Sequence, residues 1–133
     1  MNKTVVLDSF AVLALLCNES GGEQVKEILR KSTQGDNRVL MTWVNIGEIA
    51  YIVERRWSRE HVLRVVGMLE ATNIEIIEVG RELTMKASQI KAGHALAFAD
   101  AFAAALAIKE QALLVTGDAE FKQLEGMLDI EWL

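Results

Sequence analysis

Apolar residues along this chain fall into short runs that alternate with longer amphipathic stretches. The short runs predict strands at residues 4–7, 39–41, 74–79 and 112–116, and an edge strand at 128–132. The longer stretches predict helices at residues 10–16, 20–32, 43–57, 58–72, 81–92 and 98–110. Because one or two helices separate successive strands, the pattern predicts a three-layer α/β/α domain with a mainly parallel central sheet.

Polar side chains at three of the predicted helix starts are typical of N-caps. Ser20 followed by Glu23 has the spacing of a capping box, and Thr42 and Ser58 precede two further helices. These residues therefore set the predicted beginnings of three helices.

The composition is that of one folded domain over residues 1–133. Hydrophobic residues make up 51% of the chain, which is too apolar for a disordered protein, and the length excludes a two-domain enzyme. There are 14 basic and 19 acidic residues, so the formal net charge is −5. That balance argues against binding nucleic acid through bulk positive charge, unless a local acidic cluster accounts for the excess.

A single cysteine, Cys17, excludes an intramolecular disulfide and an all-cysteine metal site. This usage is typical of a reducing compartment. No stretch approaches the roughly 18 to 20 uninterrupted apolar residues that a membrane span needs. We therefore expect a soluble, cytoplasmic protein with no membrane partner.

Four carboxylates occupy positions that ordinary surface acids seldom take. Asp8 directly follows the first predicted strand, and Asp118 follows the strand at 112–116, so parallel strands would bring both to one sheet edge. Glu48 falls within an apolar helix, where a charge must reach solvent or find a partner. Asp100 lies in an alanine-rich helix with no lysine or arginine within one turn.

Each acid also has an ordinary structural interpretation. Asp8 could be a turn residue or helix cap, Asp118 a turn residue, and Glu48 an exposed helix position. Asp100 could be a first-turn acid stabilised by the helix dipole. If the four converge, however, each pair of charges at 4 Å repels by about 4 kcal/mol at an effective dielectric constant of 20. A counter-charge is then required.

Hard divalent cations suit an all-oxygen site, so we expect one or two Mg²⁺ or Mn²⁺ ions. Such ions lower the pKa of bound water and stabilise charge on a phosphodiester. Zinc is disfavoured, because His61 and His94 lie far from the acids and form no paired motif.

The order of these motifs resembles the PIN-domain family, and within it the VapC toxins of toxin–antitoxin modules. The resemblance covers essentially the whole chain. Its four segments are residues 5–11 with Asp8 and Ser9, residues 45–48 with Glu48, residues 98–107 with Asp100, and residues 116–121 with Thr116 and Asp118. One departure is visible: many relatives have a serine where this chain has Ala97, so the helix cap there must come from elsewhere or be lost.

The resemblance implies a metal-dependent ribonuclease whose catalytic and metal-binding residues are Asp8, Glu48, Asp100 and Asp118. Asp8 and Asp100 would bind the metal directly, and Glu48 would bind it directly or through water. Asp118 would contact the ligands of that metal or bind a second ion. Ser9 and Thr116 would orient carboxylates. Expected partners are an RNA substrate, a cognate antitoxin protein and a second copy of the chain.

Four arginines cluster at the break between two predicted helices: Arg55, Arg56, Arg59 and Arg64. They could guide RNA phosphates toward the site, or they could form a solvated helical face.

Two alternative functions stay open at this point. One is a PIN-like module that binds RNA or protein without catalysis. The other is a phosphatase of the haloacid dehalogenase type, which needs a second aspartate where Phe10 stands.

Overall fold

A five-stranded sheet forms the centre of the molecule in the computed structural model, which describes residues 3–133. The strands are β1 (Lys3–Leu7), β2 (Asn37–Thr42), β3 (Glu75–Ile77), β4 (Leu113–Thr116) and β5 (Ile130–Trp132). Their order is β3-β2-β1-β4-β5, and every neighbouring pair is parallel. The predicted strands are confirmed, including the edge strand near the C-terminus.

Helices cover both faces of this sheet. They are α1 (Ser9–Leu16), α2 (Gly22–Thr33), α3 (Trp43–Arg56), α4 (Arg59–Ala71), α5 (Arg81–Gly93) and α6 (Phe98–Glu110), followed by a 3₁₀ helix at Ala119–Leu124. Side chains alternate along β1, so Val5 and Leu7 pack with α1 to α4 while Val6 packs with α5 and α6. The three-layer α/β/α prediction is confirmed.

Helix α6 lies against the sheet through small side chains. Ala101, Ala103, Ala104, Ala105 and Ala107 are all buried, and α6 contacts β1, β2 and β4. Within residues 3–133, no single helix is long and apolar enough to cross a membrane; α5 and α6 together meet that test by length and composition, with a 118° bend between them.

Two of the three predicted caps are confirmed. The Thr42 and Ser58 hydroxyls accept hydrogen bonds from the backbone N–H of Asn45 and His61, at the starts of α3 and α4. The third prediction, a capping box formed by Ser20 and Glu23 on α2, is wrong.

Close packing of α2 against neighbouring segments explains the failed capping box. The N-cap position is Gly21, at φ 91°, and it makes no side-chain cap hydrogen bond. A Cβ on the next residue, Gly22, would lie 2.7 Å from the carbonyl oxygen of Ala14, and one on Gly21 would lie 2.7 Å from Leu133. Two glycines therefore begin the helix where a serine cap was expected.

Candidate metal centre

Asp8 occupies the first turn after the central strand β1. It is the N-cap of α1, where Oδ1 accepts the Ala11 N–H at 2.9 Å, and its Oδ2 accepts the Thr116 hydroxyl at 2.5 Å. Burial raises the pKa of Asp8 to about 7; the hydrogen bonds from Thr116 and Ala11 oppose this rise, and the charges of Asp118 and Glu48 add to it. Asp8 is therefore both a helix cap and a member of an acidic cluster.

Asp100 lies in the first turn of α6 and is only 7% exposed. Burial raises its pKa to about 8, and the neighbouring charges of Asp118, Glu48, Asp8 and Glu120 contribute to this rise. In the part of the chain that the structure describes, no basic side chain and no hydrogen-bond donor contacts this carboxylate. Within residues 3–133, Asp100 is thus a buried acid without a hydrogen-bond or ion-pair partner.

A third group of oxygens closes the cluster at the end of β4. Carboxylate oxygens of Asp100, Asp118 and Glu120 all lie within 4.8 Å of one another. Asp118 is half-buried; its N–H donates to the Thr116 hydroxyl at 3.0 Å, and its Oδ1 accepts the Glu120 N–H at 2.9 Å. These short-range contacts hold the turn that presents Asp118.

Glu120 is a member of the cluster that the sequence does not predict. The one clue in the sequence is that Glu120 comes two residues after Asp118. The sequence does not show that an exposed acid in a turn faces a buried site. The 3₁₀ helix at Ala119–Leu124, which the hydrophobic pattern does not predict either, turns Glu120 toward Asp100.

Glu48 approaches the cluster from α3, where it is partly buried. It is absent from the group within 4.8 Å, yet its charge raises the pKa of both Asp8 and Asp100. The structure therefore brings all four predicted acids to the carboxyl edge of the sheet, but Asp8 and Glu48 both lie outside the group that Asp100 and Asp118 form with Glu120.

The two predicted supporting hydroxyls behave differently. Thr116 contacts Asp8 directly, as expected. The Ser9 hydroxyl instead donates to the backbone carbonyl of Asn45 at 3.2 Å and accepts the Asn45 side-chain amide at 3.4 Å; among the described residues it contacts no carboxylate.

The donor set fits a hard divalent cation. The cluster offers carboxylate oxygens from separate elements, it contains no nitrogen or sulfur ligand, and Asp100 has no other partner among residues 3–133. Oxygen-only donors of this kind match Mg²⁺ or Mn²⁺ and do not match zinc.

The predicted arginines lie farther along α3 and at the start of α4. Arg55 and Arg56 stack over aromatic rings, with the guanidinium carbons 5.2 Å from the Tyr51 centroid and 5.7 Å from the Trp57 centroid. Arg59 and Arg64 pair with acidic side chains at 3.4 Å and 2.8 Å. Since α3 rises about 1.5 Å per residue, the stacked pair lies roughly 10 Å beyond Glu48 along the helix.

Comparison with known proteins gives one family and a group of similar folds. A family model described as PIN domain matches residues 5–127. No curated protein matches the sequence.

Three solved structures illustrate the shared fold. DNA-bound VapBC from Salmonella typhimurium has a TM-score of 0.75 at 20% identity and covers 98% of both chains. VapBC2 from Rickettsia felis, bound to a promoter fragment, has a TM-score of 0.72 at 22% identity over 96% of this chain and 97% of that one. VapC20 from Mycobacterium tuberculosis, described as a toxin that cleaves the sarcin–ricin loop, has a TM-score of 0.72 at 16% identity over 96% and 98%.

Proposed function

This chain belongs to the PIN-domain family, and from that premise we propose that it is an endoribonuclease that hydrolyses RNA phosphodiester bonds with Mg²⁺ or Mn²⁺. The observation that carries the proposal is Asp100, a buried acid with no protein partner among residues 3–133, whose pKa is raised by burial and also by the charges of the other acids. A buried carboxyl group of this kind is stable only when it is protonated and neutral, or when a cation lies beside its charged form.

We propose for the four acids the metal-binding roles that the PIN-domain family implies, although the group within 4.8 Å holds only Asp100, Asp118 and Glu120. Asp8 and Asp100 would hold one ion directly, and Glu48 would contact it directly or through water. Asp118 would complete that site or hold a second ion, and we add Glu120 because its carboxylate lies with those of Asp100 and Asp118. The Thr116 hydroxyl would fix the orientation of Asp8.

When bound, divalent ions would supply an activated water and stabilise negative charge on the phosphodiester. The protein groups do the rest. Thr116 and Ala11 fix both oxygens of Asp8, so that carboxylate needs little reorganisation. The absence of basic side chains around Asp100, among the residues described, leaves its oxygens free for a cation.

The test is RNA cleavage by purified protein in Mn²⁺, comparing wild type with Asp8→Asn and Asp100→Asn. Each substitution keeps the side-chain shape and removes a charge that holds the metal, so we expect at least a hundredfold loss of activity, on the order of the largest effects of disturbing a metal site. Asp36→Asn is the matched control, because Asp36 is exposed in the turn before β2. Equal cleavage by all four proteins would contradict the assignment.

We further propose that this nuclease is the toxin of a VapBC-type module. The similar structures from Salmonella typhimurium and Rickettsia felis are VapBC assemblies, which supports an antitoxin partner here. A homodimer and a cytoplasmic location stay predictions. Co-expression with the protein encoded by the adjacent open reading frame tests the toxin role: a stable complex that suppresses cleavage is expected, and free coexistence without inhibition would contradict it.

A non-catalytic binding module is the second candidate. It predicts RNA binding that needs no divalent ion, and the retention of all four acids argues against it. A calorimetric titration that shows no Mn²⁺ binding would favour it. The phosphatase alternative is disfavoured by the PIN-domain match, and Phe10 stands where that chemistry needs an aspartate.

A further inference from the structure

Asn45 lies between three elements of the site and is fully buried. Resting on the proposed function, we propose that Asn45 is a positioning residue that fixes the separation of Asp8 and Asp100 by joining the first turns of α1, α3 and α6. It is not itself a metal ligand in this proposal.

The orientation of the Asn45 amide is set from within its own helix turn. The Asn45 backbone N–H donates to the Thr42 hydroxyl at 3.0 Å, and that hydroxyl donates to Asn45 Oδ1 at 2.6 Å. With Oδ1 occupied as the acceptor, Nδ2 faces the opposite side and has two hydrogens to donate. The cap of α3 therefore determines which way the amide nitrogen points.

Nδ2 reaches the two neighbouring helices. It donates to the carbonyl oxygen of Ala99 on α6 at 3.1 Å and to the Ser9 hydroxyl on α1 at 3.4 Å. Ser9 in turn donates to the Asn45 carbonyl oxygen at 3.2 Å. Ser9 is the residue after Asp8, and Ala99 is the residue before Asp100, so each contact acts one residue from a proposed ligand.

Helix α6 begins without a side-chain cap, so its bond to Asn45 matters for its position. Ala97 occupies the N-cap position and makes no side-chain hydrogen bond. Among the described residues, Asn45 provides the only side-chain hydrogen bond to the first turn of α6. Because that bond is made to a carbonyl oxygen, it does not replace the N–H acceptor that a serine cap would supply; it links the first turn of α6 to α3.

Fixed spacing matters because the carboxylates repel one another. The acids on α1 and α6 push the two helix starts apart, and the alanine face of α6 offers only non-directional packing against the sheet. Directional hydrogen bonds hold the two helices in one register. Removing such an outer partner typically weakens metal binding by about 10-fold to 100-fold.

The experiment measures Mn²⁺ affinity by calorimetry, and RNA cleavage separately, for wild type and Asn45→Ala. We expect Mn²⁺ binding about 10-fold to 100-fold weaker and a lower kcat with little change in KM for RNA. Asn37→Ala is the matched control: Asn37 is also a buried asparagine that donates to a carbonyl, that of Ile28 at 3.2 Å, but at the opposite edge of the sheet. It should lower the Tm and leave Mn²⁺ affinity unchanged.

A second variant separates positioning from general destabilisation. Ala97→Ser in the Asn45→Ala background supplies a hydroxyl that can accept an N–H from the first turn of α6, so it stabilises that helix without restoring the lost bond to the Ala99 carbonyl. It should raise the Tm and leave the Mn²⁺ affinity low. Full recovery of the Mn²⁺ affinity would show that Asn45 acts only through the stability of α6.

The remaining outcomes distinguish this inference from the proposed function. Equal losses of Mn²⁺ affinity in Asn45→Ala and Asn37→Ala would overturn the positioning role, as would a wild-type protein that binds no Mn²⁺. If wild type binds Mn²⁺, Asn45→Ala weakens it and neither cuts RNA, the inference stands and the ribonuclease proposal fails.

Discussion

At the residue scale, Thr116 connects two of the acids through a single hydroxyl. Its Oγ donates to Asp8 and accepts the N–H of Asp118, and the side chain is completely buried. Because one oxygen makes both contacts, the orientation of Asp8 and the turn that carries Asp118 depend on the same group. Valine has nearly the same shape but no hydroxyl, so it isolates this contribution.

We predict that Thr116→Val weakens Mn²⁺ binding and RNA cleavage about 10-fold to 100-fold. It also raises the pKa of Asp8 further, because the variant lacks the hydrogen bond that lowers it. Calorimetry measures the Mn²⁺ affinity, and cleavage rates measure the activity on RNA. Thr72→Val is the control: the Thr72 hydroxyl donates to Leu69 and accepts the N–H of Ile74, the same pattern away from the acids. Similar losses in both variants would contradict the prediction.

At the element scale, the alanine face of α6 decides how closely Asp100 approaches the sheet. Ala104 is completely buried in this face. A leucine at such a position overpacks the interface and pushes the helix outward. The helix that carries Asp100 would then move as a unit.

We predict that Ala104→Leu destabilises the protein by about 1–3 kcal/mol, which lowers the Tm by roughly 4–10 °C at this length. It should also weaken Mn²⁺ binding. Ala92→Leu adds the same side chain at an exposed position of α5 and should change neither quantity. Thermal unfolding and calorimetry check both effects; a loss of stability with unchanged Mn²⁺ affinity would show that α6 adapts without moving Asp100.

The hairpin of α3 and α4 supplies a second prediction at this scale. Arg55 and Arg56 have no acidic partner among the described residues, whereas Arg59 and Arg64 do. Arg55 and Arg56 are therefore more available than Arg59 and Arg64 to bind RNA phosphates.

We expect Arg55→Ala with Arg56→Ala to weaken binding of single-stranded RNA. The slope of log affinity against log salt should fall by about 0.7 for each phosphate that the variant no longer neutralises. Fluorescence anisotropy with Asp100→Asn as the background avoids cleavage. Arg30→Ala, which removes an exposed arginine paired with Glu27 on α2, is the control. An unchanged salt slope in the double variant would assign these arginines to the solvated helical face.

At the scale of the whole molecule, the charge balance has a local origin. Nineteen acids and 14 bases give the net charge of −5, and the four predicted site acids account for all but −1 of it. The acid excess that argued against nucleic acid is therefore concentrated at one sheet edge. At that edge the negative charge favours the binding of divalent cations, and the bound cations would in turn attract a phosphodiester.

We predict that the metal-free protein loses stability as the pH rises from about 4 to 8. The folded state raises the pKa of Asp100 from 3.8 to about 8, so it holds a proton that the unfolded chain releases near its ordinary pKa. This contribution is complete below that ordinary value and disappears as the pH passes about 8. Even a pKa difference of one is worth about 1.4 kcal/mol, or roughly 5 °C in Tm.

Thermal unfolding in EDTA at several pH values checks this sign. Mn²⁺ should raise the Tm most at the highest pH values, because it binds only the folded protein with its acidic cluster deprotonated. Asp100→Asn should flatten the pH dependence. A metal-free Tm that rises between about pH 5 and 8, in wild type but not in Asp100→Asn, would contradict the protonation of Asp100.

The layers and the strands could be predicted from the amino-acid sequence, and so could the sheet edge at which the four acids meet. Hydrophobic spacing reports which face of each element is buried, and a parallel sheet brings the residues after its strands to one edge. Asp8 and Asp118 were predictable for that reason. The isolation of Asp100 in an alanine-rich helix was visible as well, because its lack of basic neighbours is a property of adjacent positions.

The contacts that hold the acids, and the other residues that join them, depend on how the helices pack. Glu120 reaches the cluster through a 3₁₀ turn, Ser9 contacts Asn45 in place of a carboxylate, and α2 begins at Gly21 because its start packs closely on other segments. The contacts of Asn45 span 36 and 54 residues. Local periodicity carries no information on such distant partners, since they meet only when the helices have packed.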